Sequence, residues 1–340
     1  MADTFDPNNE LIPPGPSAAE TVPPGEEAAT AAIVRAVEAT VRAAAKSGPA
    51  RRDAHAKAHG CVKAEFRVLD GLPDALRVGL FAEPRAYQAW IRFSNGSGNP
   101  RADKTGDGRG MAIKVMGVPG SRSGTQDFLM INNPTFFVRD AADYVDFNTA
   151  SPQSKFFFPG WNPFDFRLRE LLIARSIVKQ TVLNPLNLRY WTMVPFALGD
   201  DACKFSARPA GPPSPFVQDA LADYLRDNLV RHLTATPASF DFMAQRRATP
   251  ATMPIEDPRI EWSEAGAPFT PVARIAIEPQ AFDAPEQRAM CENLSFTPWH
   301  GLEAHRPLGG INRVRRAVYE TISRLRHDLN ATPRQEPAGF

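Results

Sequence analysis

Between residues 61 and 132 the chain repeats one pattern four times. CVKAEFRV, AYQAWIRFS, GMAIKVMG and TQDFLMIN are short runs rich in β-branched and aromatic side chains, separated by Gly, Pro, Asp and Asn. Such runs are expected to pair as neighbouring strands of an antiparallel sheet or barrel. KFSARP near 204, PRIEW near 258 and PVARIAIEP near 271 predict further strands. The chain holds 33 prolines among 340 residues, about twice average usage. Proline interrupts helices and central strands, so many loops and short elements follow and a purely helical bundle is excluded.

Helices are expected around this sheet. The run from Glu26 to Lys46 is alanine-rich, with Ile33, Val37 and Val41 on one stripe. At 165–183 Leu168, Leu171, Leu172 and Val178 fall on one face, and 215–233 repeats its apolar residues at three and four. The last strong helix covers 313–329. Residues 1–25 hold six prolines and few large apolar side chains, the composition of a flexible arm that stays disordered or drapes over something larger. Residues 26–340 then form a single α+β domain.

Lys and Arg number 39 against 38 Asp and Glu, a net charge of +1, which gives no reason to expect a nucleic-acid or anionic-membrane partner. Cys61, Cys203 and Cys291 are odd in number and far apart, fitting neither a disulfide framework nor a zinc site. They read as reduced thiols. No basic, then apolar, leader is visible and no stretch of about 18 uncharged apolar residues occurs, so a cytoplasmic location is expected.

Three segments carry unusually placed polar groups. Arg51 to Gly60 places His55 and His59 beside a strand, where an imidazole could handle protons near neutral pH; a solvated basic loop is the plain alternative. Arg92 lies inside an apolar strand, where burial is costly unless it meets an anion, and a salt bridge to Asp103 or Asp107 would also satisfy it. Phe136 and Phe137 read alone as core. On the last helix Arg315, Tyr319, Ser323 and Arg326 share a face, beside an apolar face of Val314, Val318, Ile322 and Leu325. A tyrosine one turn from an arginine can be held as a phenolate, and phenolates bind ferric iron; a surface tyrosine packed on an arginine is the alternative.

Taken together, these segments resemble the haem catalases and their shorter relatives, a superfamily that includes haem allene oxide synthases. The family pattern is an Arg three residues before a distal His, an R-F-S strand, a D-x-R-G turn, an N-x-P-x-F-F-x-R-D run and a late R-x-x-x-Y. Here it reads Arg52 with His55, Arg92-Phe93-Ser94, Asp107-Gly108-Arg109-Gly110, Asn132 to Asp140, and Arg315 with Tyr319. The resemblance spans roughly 50 to 330.

It implies an antiparallel β-barrel with helices outside and haem b between the barrel and the C-terminal helix. Tyr319 would ligate the iron with Arg315 stabilising its charge, and His55 would be the acid/base toward a peroxide. Asn132 would donate to the bound peroxide, Ser94 would orient His55, Phe137 would contribute to the haem pocket, and Arg52, Arg92 and Arg326 would pair with the propionates. The implied activity is catalase or peroxidase, on hydrogen peroxide or organic hydroperoxides. The alternatives are a fatty-acid hydroperoxide-converting enzyme of the allene oxide synthase type and a non-enzymatic haem carrier or sensor. A homo-oligomer wrapped by the N-terminal arm would follow related catalases; no motif supports nicotinamide binding.

Departures from the family pattern leave rivals in place. His59 stands where the family has a small residue and rivals His55; Asn133 rivals Asn132. Around the ligand only Arg315 and Tyr319 survive of R-x-F-x-Y-x-D. Gly96 replaces a channel-narrowing valine, which predicts a wider entrance.

Overall fold

A computed structural model describes residues 11–13, 15, 19–217, 222–334, 336–337 and 339–340. The strands are β1 (Ala58–Val68), β2 (Ala86–Asn95), β3 (Arg109–Met116), β4 (Thr125–Ile131), β5 (Tyr190–Trp191), β6 (Phe196–Leu198), β7 (Asp201–Pro209), β8 (Ala238–Arg246) and β9 (Thr270–Ile277). All pairings are antiparallel, in the order β5-β4-β3-β2-β1-β9-β8-β7-β6. Tyr190 and Trp191 of β5 also pair with Ala207 and Ser206 of β7. That last ladder closes eight strands into a barrel, with β6 folded back on β7 outside the ring.

Strand alternation sorts the side chains. On β2, Ile91 and Phe93 enter the barrel, whereas Trp90, Arg92 and Ser94 face outward. The interior is filled by aromatics: Phe128 lies 4.7 Å from Phe242 and 5.0 Å from Phe205, centroid to centroid. A barrel so packed leaves no room inside for a ligand. A site has to be built on its outer wall.

The helices are α1 (Glu26–Ala44), α2 (Ala141–Thr149), α3 (Ser154–Phe157), α4 (Leu168–Val178), α5 (Tyr224–Leu233), α6 (Pro285–Asn293) and α7 (Gly310–Leu329). The stripe Ile33, Val37, Val41 of α1 packs on Val314, Val318, Ile322 and Leu325 of α7, joined by Ala141 of α2. This layer stands over the outer face of β2 to β4. No helix among the described residues is long and apolar enough to cross a membrane. In the N-terminal arm, residues 1–10, 14 and 16–18 lie outside the described residues; Leu11 and Ile12 are buried beside Trp299, whose carbonyl accepts from Ile12 N–H at 3.1 Å.

Several expectations are corrected. Residues 258–262 form a turn rather than a strand, because the Arg259 guanidinium binds Asp257 at 2.7 and 2.9 Å and also Glu170. The helix expected over 165–183 runs only from Leu168 to Val178. Leu168, Leu172 and Val178 point to solvent, at 54%, 67% and 40% exposure, and Ile177 turns inward instead. The helix expected over 215–233 is described only from Tyr224 onward. Asn228 caps the segment before it, accepting from Val217 N–H at 2.9 Å and donating to its carbonyl at 3.1 Å, with residues 218–221 outside the described residues. Strand β8 and helix α6 had no counterpart in the sequence reading.

Candidate active site

Strand register aligns Ser94 with Gly110 and Gly110 with Ile131 on the outer wall. The next row is Cys61, Arg92, Ala112 and Leu129. Gly110 and Ala112 leave the middle of this wall low. Between it and α7 lies a cavity of about 1370 Å³, lined by His55, Arg92, Ser94 and Gly110 from the barrel side and by Arg315, Tyr319 and Arg326 from the helix.

His55 lies in the loop entering β1 with a positive φ of 58°, a conformation that costs a β-carbon-bearing residue about 1–3 kcal/mol. Three contacts hold it. Its N–H donates to Gly96 O at 2.9 Å, its carbonyl accepts from Arg92 Nη2 at 2.8 Å, and Nδ1 is hydrogen-bonded to Ser94 Oγ at 3.0 Å. A β-carbon at Gly110 would sit 2.5 Å from His55 Nδ1 and 2.8 Å from Ser94 Oγ. Glycine at 110 is therefore what lets the imidazole reach the serine. Nε2 has no hydrogen-bond partner among the described residues. With the proton on Nδ1 and donated to Ser94, Nε2 is a free acceptor on the cavity edge. Burial, reinforced by Arg92 and Arg315, lowers the imidazole to about 4, so it is neutral at pH 7.

On the other wall Arg315 Nη2 donates to Tyr319 Oη at 3.3 Å, and the guanidinium also lies 5.2 Å from the ring centroid. Among the described residues no group of three or more His, Cys, Asp and Glu could hold a metal ion. One tyrosine is too few ligands for a bare ion, so an iron here needs a carrier that supplies the rest.

The third edge carries charge. Arg52 Nη1 lies 2.9 Å from Glu292, Arg326 Nη1 3.1 Å, and Arg92 Nη2 3.9 Å. Three guanidiniums thus converge on one carboxylate. Arg92 Nε is buried without a hydrogen-bond partner, and burial, aggravated by Arg52, lowers Arg326 to about 9. A surplus of two buried positive charges is costly unless anions complete it. Two propionates would do so, and the apolar walls at Leu129, Ile131, Phe137 and Val318 suit a flat macrocycle. The residues present fit haem.

His59 is not part of this site. It is buried on another network, its Nε2 2.8 Å from Asn95 Oδ1. Asn132 and Asn133 do not line the cavity either. The Asn132 Oδ1 accepts from Arg109 N–H at 2.8 Å, while its Nδ2 donates to Ile177 O at 3.1 Å and to Gln180 Oε1 at 3.0 Å. Asn133 is spent on Thr135 and Ser176. The Asn132 amide is thus engaged within the protein, and Ile131 lines the cavity at this point. Phe137 lines it as expected, its ring 4.8 Å from Phe147. The wider entrance expected from Gly96 is also corrected: a β-carbon there would meet Asp107 Oδ1 at 3.2 Å and Gly108 O at 3.3 Å, so the missing side chain opens no space.

Sequence reasoning missed Glu292, Gly110 and Ile131. Glu292 sits in a short helix with no apolar signal of its own, and only the folded chain brings it to three distant arginines.

The catalase family model matches residues 38–167, the stretch from α1 through the first four strands to the loop before α4. Over these residues the chain is similar to the catalases. Its fold is similar to that of a bacterial catalase (18% identity, TM-score 0.61, covering 88% of this chain and 62% of that one). It is also similar to catalase A from Saccharomyces cerevisiae (16% identity, TM-score 0.65, covering 86% of this chain and 65% of that one). A fungal catalase gives 15% identity and a TM-score of 0.61, covering 86% of this chain and 62% of that one. The chain therefore spans less than two thirds of the length of these solved catalases.

Proposed function

We propose that the chain holds haem b in the cavity between the barrel wall and α7, with Tyr319 as the iron ligand, and acts on peroxides as a catalase- or peroxidase-type oxidoreductase. The observation that carries this reading is the shared cavity itself. A neutral His55 oriented by Ser94, a Tyr319 held by Arg315 and a doubly cationic edge at Arg52, Arg92 and Arg326 all line one space.

When bound, haem supplies a redox-active iron and macrocycle able to take up oxidising equivalents from a peroxide. Tyr319 Oη would hold the iron, with Arg315 Nη2 hydrogen-bonded to that oxygen at 3.3 Å. Arg52, Arg92 and Arg326 would bind the propionates. His55 Nε2 would take the proton from one peroxide oxygen and return it to the other, so that the O–O bond breaks heterolytically. Ser94 holds the Nδ1 proton in place throughout and so keeps Nε2 basic.

A base must be unprotonated to act. Since His55 is lowered to about 4, the rate should hold down to pH values below the ordinary histidine range of about 6.5 and fall as pH drops toward 4. His55→Gln is expected to lose about 10²–10⁴-fold in rate while retaining its Soret band, and to lose the acid limb of the pH–rate profile. An unchanged rate with hydrogen peroxide and with tert-butyl hydroperoxide would remove His55 from the mechanism.

Gly110→Ala tests the positioning. Its methyl would push the imidazole off Ser94, and a displacement of about 1 Å can cost about a hundredfold. Haem content should stay near one per chain while peroxide turnover drops; equal turnover would show that the His55–Ser94 contact is idle.

The lack of an amide on the cavity wall at Ile131 favours a second reading, in which an organic hydroperoxide is preferred to hydrogen peroxide. Oxygen release measured on an electrode, beside oxidation of a reducing dye with an organic hydroperoxide, separates the two. Vigorous oxygen evolution marks a catalase, and dye oxidation with little oxygen marks a peroxidase.

A further inference from the structure

Two of the three cysteines meet next to the arginine edge. Cys61 faces outward from β1 and stands directly opposite Arg92 in the β1–β2 ladder. Cys291 lies in the last turn of α6, one residue before Glu292. The two thiols share a buried cluster with Trp90 and Leu294. Helix and strand are pinned together around them: Gln287 Nε2 donates to Cys61 O at 2.8 Å, and Arg52 Nη2 donates to Cys291 O at 3.3 Å. Both cysteines also line a second cavity, of about 240 Å³, on the His59 side of β1. That volume admits a small peroxide without passage through the large cavity.

We propose that Cys61 and Cys291 form a dithiol site that a hydroperoxide oxidises to an intramolecular disulfide, and that this oxidation displaces Glu292 from the arginine cluster. The Cys291 sulfur attacks one oxygen of the hydroperoxide as a thiolate. The O–O bond breaks, a sulfenic acid forms on Cys291, and the leaving alkoxide takes a proton from solvent to become the alcohol, or water when the oxidant is hydrogen peroxide. Cys61 then attacks the sulfenic sulfur; the S–S bond forms and hydroxide leaves, taking the Cys61 proton to become water. Two electrons pass from the two sulfurs to the peroxide.

Direction of attack follows from the surroundings. The S–H of Cys61, then Arg92 and Arg52, hold the Cys291 thiol below its ordinary range against the effect of burial, whereas burial pushes Cys61 up. Cys291 is thus the sulfur able to ionise. A disulfide draws the sulfurs to about 2.05 Å, closer than two non-bonded sulfurs can stand. Cys291 must move toward β1, and Glu292, its chain neighbour and the shared counter-ion of Arg52, Arg92 and Arg326, moves with it. Cys203 is a built-in control, buried elsewhere on β7 with its sulfur 3.9 Å from Ala197 O.

The test is a thiol count on the full chain. The reduced protein, as purified and after haem removal, is treated with one equivalent of hydrogen peroxide or tert-butyl hydroperoxide, alkylated under denaturing conditions and digested. The alkylatable cysteines should fall from three to one, with the peptides of Cys61 and Cys291 joined and 2 Da lighter than their sum. In Cys61→Ser a sulfenic-acid trap should label Cys291. Retention of three alkylatable thiols, a link to Cys203 or a link between two chains would overturn the proposal. Mass is read with or without haem, so this result and the proposed peroxide activity stand or fall separately.

Discussion

Tyr319→Phe is expected to leave a folded protein that no longer retains haem. In the proposed site the Tyr319 hydroxyl is the ligand that α7 would supply, and its partner is Arg315 Nη2 at 3.3 Å. Losing the oxygen that would hold the iron, together with its contact to Arg315, should weaken haem binding by at least about a hundredfold, on the order of 3 kcal/mol. The ring itself is only partly buried, and the apolar contacts of α7 run through Val314, Val318 and Ile322 on the neighbouring face. Far-UV dichroism and the urea midpoint should therefore match those of the haem-free parent. The Soret absorbance per chain after gel filtration is the measurement; a full Soret band and full peroxide turnover would dismiss Tyr319 as ligand. Arg315→Ala should act in the same direction but less strongly, since the oxygen remains and only its stabilising cation is lost.

The largest effect on stability is expected from Asp127→Ala. Lys114 and Asp127 are cross-strand partners on the outer face of β3 and β4, and both side chains are fully inaccessible to solvent. Lys114 Nζ donates to both Asp127 oxygens at 2.9 and 3.0 Å and lies 3.2 Å from Glu336. Asp127 Oδ2 also lies 3.2 Å from His300 Nδ1. Burial pushes the Asp127 carboxyl up, but Lys114 and His300 outweigh it and hold it below the ordinary range. Its contribution is present at neutral pH and is lost as pH falls through the acid range. Removing one partner leaves a buried ammonium with a single remaining carboxylate, and such breaks cost about 3–5 kcal/mol. Replacing both, as Lys114→Met with Asp127→Leu, should recover much of that loss, because no buried ammonium is left uncompensated and Glu336 keeps Arg334 at 3.0 Å. Urea midpoints of the three proteins at pH 7 decide it; a double variant no more stable than Asp127→Ala would show that the cost comes from lost packing.

The barrel half of this protein is legible in its sequence because strand alternation is local. Arg92 and Ser94 share a face simply because they are two residues apart, and Ile91 and Phe93 must then face the other way. The same holds for α7, where spacings of three and four put Tyr319, Arg315 and Arg326 on one side and the apolar stripe beside it. The solvent-facing turn of Leu168 and Leu172 was not legible, because a periodic pattern names a face without saying whether anything lies against it.

Asn132 shows where local reading stops. Its place in the motif suggested a donor to substrate, yet its amide is consumed by Arg109, Ile177 and Gln180, partners up to 48 residues away. Sequence alone determined the strand and helix periods, the absence of a long apolar span, and the candidates His55, Ser94, Arg92 and Tyr319. Only the tertiary structure decided that His55 rather than His59 meets the cavity, that Gly110 makes room for it, and that Glu292 and Cys291 arrive from a separate helix. The reason is physical: side-chain direction within an element is set by backbone geometry over a few residues. Which elements face one another, and which polar groups are already satisfied, depends on contacts between segments far apart in the chain.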